Sequence, residues 1–372
     1  MFTSTSRHWA FAWSLLCLVI TRSTVAQQSP PLEPVFKDST YQITGVAVSK
    51  TGRLFVNYPY WTDTYRYAVA EIGKDGTVKP YPSADYNTWR EGQPVTTNRW
   101  ICVQSVHVDA KDRLWVVDAA SPKQSGVIGN AHRLVCFNLS TNQVEKTFPM
   151  QGIVGYDSYL NDIRVDTDRE VAYVTESKKG GIIVVDIKSG KSRLLLSGDK
   201  SVKADPTYTF VIDGRELRDN LGPVRFQSDG LALTPDGNYL YYKPLSDNKL
   251  YRIKTEYLRD QALPAAQLSA RVEDLGRVAS TDGMIIDQQG NLYMGDDQTY
   301  TLYRLPSATA AAFKPNKQVL LTDNNRLMWP DSYAIYNGYL YVTTSHIQHM
   351  AKHNGGKSTR KLPYEVLRLK IE

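Results

Sequence analysis

Polar and apolar positions along this chain fall into one unit that returns six times. A small or polar leading residue opens three or four residues of alternating apolar character. A turn bearing Gly, Asp or Asn follows, and then a second apolar run rich in Tyr, Val and Leu. The leading residues are Thr44, Gln104, Asn161, Asp229, Asp282 and Asp331, followed by stretches such as GVAVSKTGRLFVN, SVHVDAKDRLWVVD and GLALTPDGNYLYYK. Repetition at intervals of about 50–70 residues marks one supersecondary unit used again and again. Each unit is a hairpin, so the repeat is all-β. Six hairpin-based sheets close naturally as a six-bladed β-propeller with four-stranded antiparallel blades.

The pattern also predicts where each blade's strands lie, lettered A to D from the channel outward. In blade four, strand A falls on 230–233, strand B on 239–242 and strand C on 249–254, with Pro235-Asp236-Gly237 as the tight A–B turn. Blade five repeats this over 283–287, 291–294 and 301–305. Blade three reads 163–165, 171–175, 181–186 and 193–196. The last blade has three evident strands, ending at 364–371. A strand from the lead-in, around 35–41, would complete it and hide the final sheet edge. The connections 82–103, 119–132, 198–227 and 345–362 are long and belong to one face, where function concentrates. The short A–B turns predict a plain underside.

Composition narrows the class. With 372 residues and 42% hydrophobic content the chain is globular. The repeats run on without a linker, so residues 27–372 read as a single propeller domain. Residues 1–26 read as a signal peptide: Arg7 and His8, an apolar run over 9–20, and small residues at Thr24-Val25-Ala26. That run is too short to span a membrane, and no other segment is apolar enough, so no membrane insertion is expected. The protein is expected to be secreted, extracellular or periplasmic, and monomeric. Removing Arg7 and Arg22 lowers the net charge from +6 to +4. No basic cluster with interleaved aromatics accompanies that mild excess, so nucleic acid is not an expected partner. The mature chain keeps Cys102 and Cys136, both assigned to blade two; they form either a disulfide or two buried free thiols.

The candidate chemistry sits at the leading positions. In a propeller all six face the axial channel at one mouth, and Asp162 follows Asn161 directly. Converging carboxylates in a partly dry cavity repel, by roughly 3 kcal/mol per pair at about 6 Å. Such a ring binds a cation or keeps a carboxyl protonated. An all-oxygen set of Asn161, Asp229 and Asp282 suits Ca²⁺ or Mg²⁺ better than zinc. The alternative is structural: a carboxylate before a strand caps backbone N–H groups, and Asp-Gly pairs make good turns. Aromatics crowd the same loops: Tyr58, Tyr60, Trp61, Trp89, Trp100, Phe226 and Trp329. Aromatic walls over an acidic floor suit a small organic cation. The expected ligand-binding set is therefore Asn161, Asp162, Asp229, Asp282, Asp331, Trp61 and Trp329. His346, His349 and His353 share helical spacing, but their polar, Gly-ended stretch reads as a solvated loop more than a metal site. No nucleophile elbow, phosphate loop or zinc signature is present.

At this point the residues resemble a known family. The stretch GLALTPDGNYLYYKPLSDNKLYRIKT (230–255) is similar to a signature of the yellow/major royal jelly protein family. SVHVDAKDRLWVVD, YLNDIRVD, AYVTESKKGGIIVVD and WPDSYAIYNGYLYVTTS match in the same order. The resemblance implies a secreted six-bladed propeller that captures a small cationic or aromatic molecule at its channel mouth. Some members are credited with dopachrome conversion, which makes an isomerase one alternative. The family is distantly similar to gluconolactonases and calcium-dependent phosphotriesterases, which hold a divalent ion on a Glu, two Asn and an Asp. Asn161 and Asp282 keep two of those positions, Asp229 replaces the second Asn, and Thr44 stands where the Glu is expected. The second alternative is therefore a metal-dependent lactonase or esterase.

Overall fold

The structure is a computed structural model that describes residues 1–4 and 31–372. The expected signal peptide over 1–26 lies, apart from its first four residues, outside the described residues. No helix among the described residues is long and apolar enough to cross a membrane.

Strand formation follows the apolar alternation. The six A strands are Gly45–Val48, Val103–Val108, Leu160–Asp166, Ser228–Leu233, Met284–Ile286 and Pro330–Tyr336. Each is the inner strand of a four-stranded antiparallel sheet, and the A strands neighbour one another in chain order round a ring. The sheets are blades of a six-bladed β-propeller. Strand C of blade four, Lys249–Lys254, and of blade five, Thr301–Leu305, fall where the pattern puts them. Strands A and B of blade four run longer than expected, to Ser228–Leu233 and Tyr239–Pro244. The blade-four A–B turn uses Gly237 at φ 67°, a conformation that glycine adopts without a Cβ penalty.

Closure of the ring is also as expected. Strand Glu33–Asp38 pairs antiparallel with Tyr364–Lys370, Glu33 opposite Arg368 and Asp38 opposite Tyr364. It becomes the outermost strand of blade six, so one sheet joins both ends of the repeat region.

The core is divided into wedges between adjacent blades. Blades two and three share Trp115, Leu134, Ile163, Val174 and Ile183. Blades three and four share Tyr173, Ile182, Leu231, Tyr242 and Tyr251. This explains the near-continuous apolar runs: each sheet is packed on both faces. Polar bonds stitch the inner ends together as well. The carbonyls of leading residues accept from the preceding blade: Thr44 O from Thr343 Oγ1 at 2.7 Å, Gln104 O from Asn57 Nδ2 at 2.9 Å. Asn161 O accepts from Ser105 Oγ at 2.6 Å, Asp229 O from Thr175 Oγ1 at 2.6 Å, and Asp331 O from Gly283 N at 2.8 Å. At the junction of blades four and five the backbones themselves meet, and a Cβ on Gly230 would lie 1.9 Å from Asp282 O.

Of the two alternatives for the cysteines, the second holds, and two expectations change. The thiols of Cys102 and Cys136 are free and buried. Cys102 precedes strand A at the mouth end, whereas Cys136 sits opposite Trp115 in mid-sheet, so the register holds them apart. The underside is not plain: a cavity of about 360 Å³ opens among the far ends of the A strands, lined by His107 and Arg164 among others. The histidine stretch is not a solvated loop over 346–353, which folds into two short 3₁₀ turns with His346 and His353 buried, while 355–359 is exposed. Its three histidines go to separate partners: His346 packs on Tyr364, His349 bonds Thr359 Oγ1, and His353 bonds Arg218 O.

Candidate functional site

Asp-Gly at the head of strands A in blades four and five decides how the mouth is built. Without side chains, Gly230 and Gly283 let neighbouring backbones approach closely. The carboxylates that precede them are thereby drawn together. Asp229, Asp282 and Asp331 are each buried, at 3%, 8% and 7% exposure, and Asp162 at 8%. A small cavity of about 50 Å³ at the mouth is lined by Asn161, Asp229 and Asp282, with Trp61, Phe226 and Trp329 as its aromatic walls. Asp162 and Asp331 act on this group through charge but do not line the cavity. Thr44 is turned into the ring, where its Oγ1 accepts from Asn57 Nδ2 at 2.9 Å. Tyr58, Tyr60, Trp89 and Trp100 belong to buried clusters beneath the loops rather than to the cavity.

Hydrogen bonds fix the walls. Trp329, fully buried, donates its Nε1–H to Asp282 Oδ2 at 2.7 Å. On the other side runs a relay: Trp61 Nε1 donates to Tyr159 Oη at 2.7 Å, Tyr159 donates to Gln104 Oε1 at 2.8 Å, and Gln104 Nε2 donates to Asn161 Oδ1 at 2.9 Å. Lys352 lies across the opening, its Nζ 5.9 Å from the Trp61 ring centroid and 2.6 Å from Gln124 Oε1.

The electrostatics are those of crowded, dry carboxylates. Burial first, then the charge and hydrogen-bonding contact of Asp282, holds Asp229 well above the usual carboxylate range. Burial also raises Asp282, against the opposing pull of its contacts with Asp229 and Trp329 and of the Lys243 charge. Two carboxyls in such contact share a proton. Asp331 is raised well above its ordinary value by burial and then by Asp282. Asp162 is pushed up to about 6, chiefly by burial, with Arg164 opposing and Asp282 adding. Asp229 Oδ1 and Asp331 Oδ2 are buried without hydrogen-bond partners among the described residues. So are both oxygens of Asp297, whose carboxyl is raised well above normal by burial and by Asp282. Close to these acids, Lys243 is fully buried and donates to the carbonyls of Pro244, Asp247 and Thr281 at 2.6, 2.9 and 3.4 Å. Burial lowers it to about 8, although four surrounding carboxylates pull the other way.

Sequence reasoning singled out Trp61, Trp329, Asn161, Asp229 and Asp282, and these the fold brings together. It missed Tyr159, Asp297, Lys243, Lys178 and Lys352. Tyr159 could have been found, since it stands two residues before a leading position. Asp297 and Lys243 sit at or just past the ends of B strands, where the repeat carries no fixed polar signal.

A six-bladed propeller with an acidic, aromatic-lined mouth is the class that fold and cavity define. The sequence model of the family "Major royal jelly protein" matches residues 101–370, and the chain belongs to that family. It is 24% identical over 246 residues to major royal jelly protein 1 of Apis mellifera, covering 60% of this chain and 52% of that one. It is 26% identical over 260 residues to protein yellow of Drosophila pseudoobscura pseudoobscura, covering 64% and 42%. The chain thus spans about half the length of such relatives, or less. Among solved structures, a gluconolactonase from Xanthomonas campestris shares the fold with TM-score 0.53 at 13% identity, covering 92% of this chain and 90% of that one. A streptogramin B lyase does so with TM-score 0.53 at 11% identity, covering 92% and 98%.

Proposed function

We propose that this protein is exported and binds a small aromatic molecule with a basic group at the channel mouth. Export rests on the leader pattern of residues 1–26. Binding rests on one observation above all: the Asp229–Asp282 pair forms the floor of a cavity walled by Trp61, Phe226 and Trp329. An ammonium replaces the shared proton and gains both ion pairing and cation–π contact. The cavity as it stands admits water or a small end group. The body of a larger ligand therefore takes the place of Lys352 over Trp61. Calorimetry with dopamine, serotonin and phenethylamine should give saturable binding, at least about tenfold weaker in Asp229→Asn. No heat with any of the three would defeat the reading.

A second reading puts Ca²⁺ or Mg²⁺ on Asn161, Asp229 and Asp282, where the ion would polarise a lactone or ester carbonyl. Asp229 Oδ1, buried without a partner, favours it. One observation weighs against it: Asn161 Oδ1 already accepts from Gln104 Nε2. On this reading, protein prepared without chelator contains one divalent ion per chain, and EDTA lowers its Tm. Metal-free protein whose Tm ignores both EDTA and added Ca²⁺ removes it.

A further inference from the structure

Two lysines stand at the rim of the acidic cavity, and neither lies within ion-pair distance of a carboxylate among the described residues. Lys178 follows strand Val171–Glu176 in the B–C turn of blade three, and Lys352 comes from the loop after strand Tyr339–Thr344 of blade six. Both line the cavity whose floor is Asp229 and Asp282. They are near enough that the charge of Lys178 disfavours that of Lys352, which burial chiefly lowers to about 8. Neither makes an ion pair among the described residues. Lys179, next in sequence, does, with Asp157 at 2.6 Å. Asp219, the carboxylate acting on Lys352, bonds instead to the backbone N–H of Leu221 and stays beyond ion-pair distance. Lys352 makes do with the neutral amide oxygen of Gln124.

Two unpaired cations beside one opening repel each other, and a bound anion relieves that repulsion while replacing a neutral acceptor with a charged one. Building on the binding reading above, we infer that the ligand is a zwitterion. Its ammonium lies toward Asp229 and Asp282, and its carboxylate lies between Lys178 and Lys352. Lys352 then exchanges Gln124 for the carboxylate and leaves the face of Trp61 free for the ligand's ring. The cavity so selects aromatic amino acids, or longer molecules carrying an acid across a ring from an amine, over simple amines.

The test compares phenethylamine with phenylalanine and with para-(aminoethyl)benzoic acid, by calorimetry at low salt on the full chain. At least one acid-bearing compound should bind about tenfold tighter than phenethylamine. Its advantage should shrink in 0.5 M salt. Lys352→Met and, separately, Lys178→Met should each erode the advantage, and Lys352→Arg should restore it. If phenethylamine binds as well as both acids, the zwitterion is wrong while amine binding stands. If the acids win but both Met variants keep the preference, the lysines are not the recognising groups and the inference falls. If nothing binds, both readings fall together. Lys178 is exposed, so its replacement keeps the test informative should Lys352→Met fail to fold.

Discussion

Asp162 lies between opposing influences, and its titration gives the mouth a pH signature. Its carboxyl is raised to about 6 in the folded protein, against about 4 in an unfolded chain. The folded state therefore holds this proton more tightly. Stability falls as pH rises through this range, by about 3 kcal/mol in all from this group, about 2 kcal/mol of it between pH 4 and pH 6. Burial raises Asp229, Asp297 and Asp331 in the same direction, so their loss of a proton adds to the decline as pH rises. In Asp162→Asn, denaturant unfolding should lose roughly 2 kcal/mol of the difference between pH 4 and pH 6. A profile identical to the parent's would show that Asp162 does not titrate as described. The leading acids were readable in the sequence because each recurs at the same place in a repeat. The rim lysines were not, because Lys178 and Lys352 sit in connections that share no register from blade to blade.

At the scale of the strand, the glycines after Asp229 and Asp282 do more than turn the chain. A Cβ at Gly230 would lie 1.9 Å from Asp282 O, and one at Gly283 would lie 2.4 Å from Asp331 O. Both obstacles are backbone, so no side chain can swing aside. Gly230→Ala should cost about 3 kcal/mol in thermal or denaturant unfolding, because the A strands of blades four and five must part. It should also weaken ligand binding by spreading Asp229 from Asp282. An unaltered Tm would mean that the two strands do not meet as closely as described. Strand C was read to the residue in blades three, four and five, since a turn residue bounds each apolar run there. Strand A was read less well. Ser228 and Asp229 join it through a bulge in its pairing with strand B, which a count of alternating residues does not register.

For the whole molecule, six-fold repetition carried most of the inference. It gave the blade count, the mouth and the composition of its floor. What it could not give was anything that depends on the distance between strands of one blade, such as the separation of Cys102 from Cys136. Nor could it give the far end of the axis. There Arg164 reaches from blade three to the carbonyl of Met284 in blade five. His107, lowered to about 3 by burial and then by Arg164, stays neutral beside it.

Pairing of Glu33 with Arg368 sets an order on assembly. Every other blade recruits its four strands from one continuous stretch and can pair them as soon as that stretch exists. Blade six must wait for two segments more than three hundred residues apart, the most entropically demanding loop in the molecule. A chain still emerging from a ribosome or a translocation pore can therefore hold five sheets and yet have no finished circle. The acidic floor draws on Trp329 of that late blade to orient Asp282, so it is complete only once the inner strand of blade six has docked.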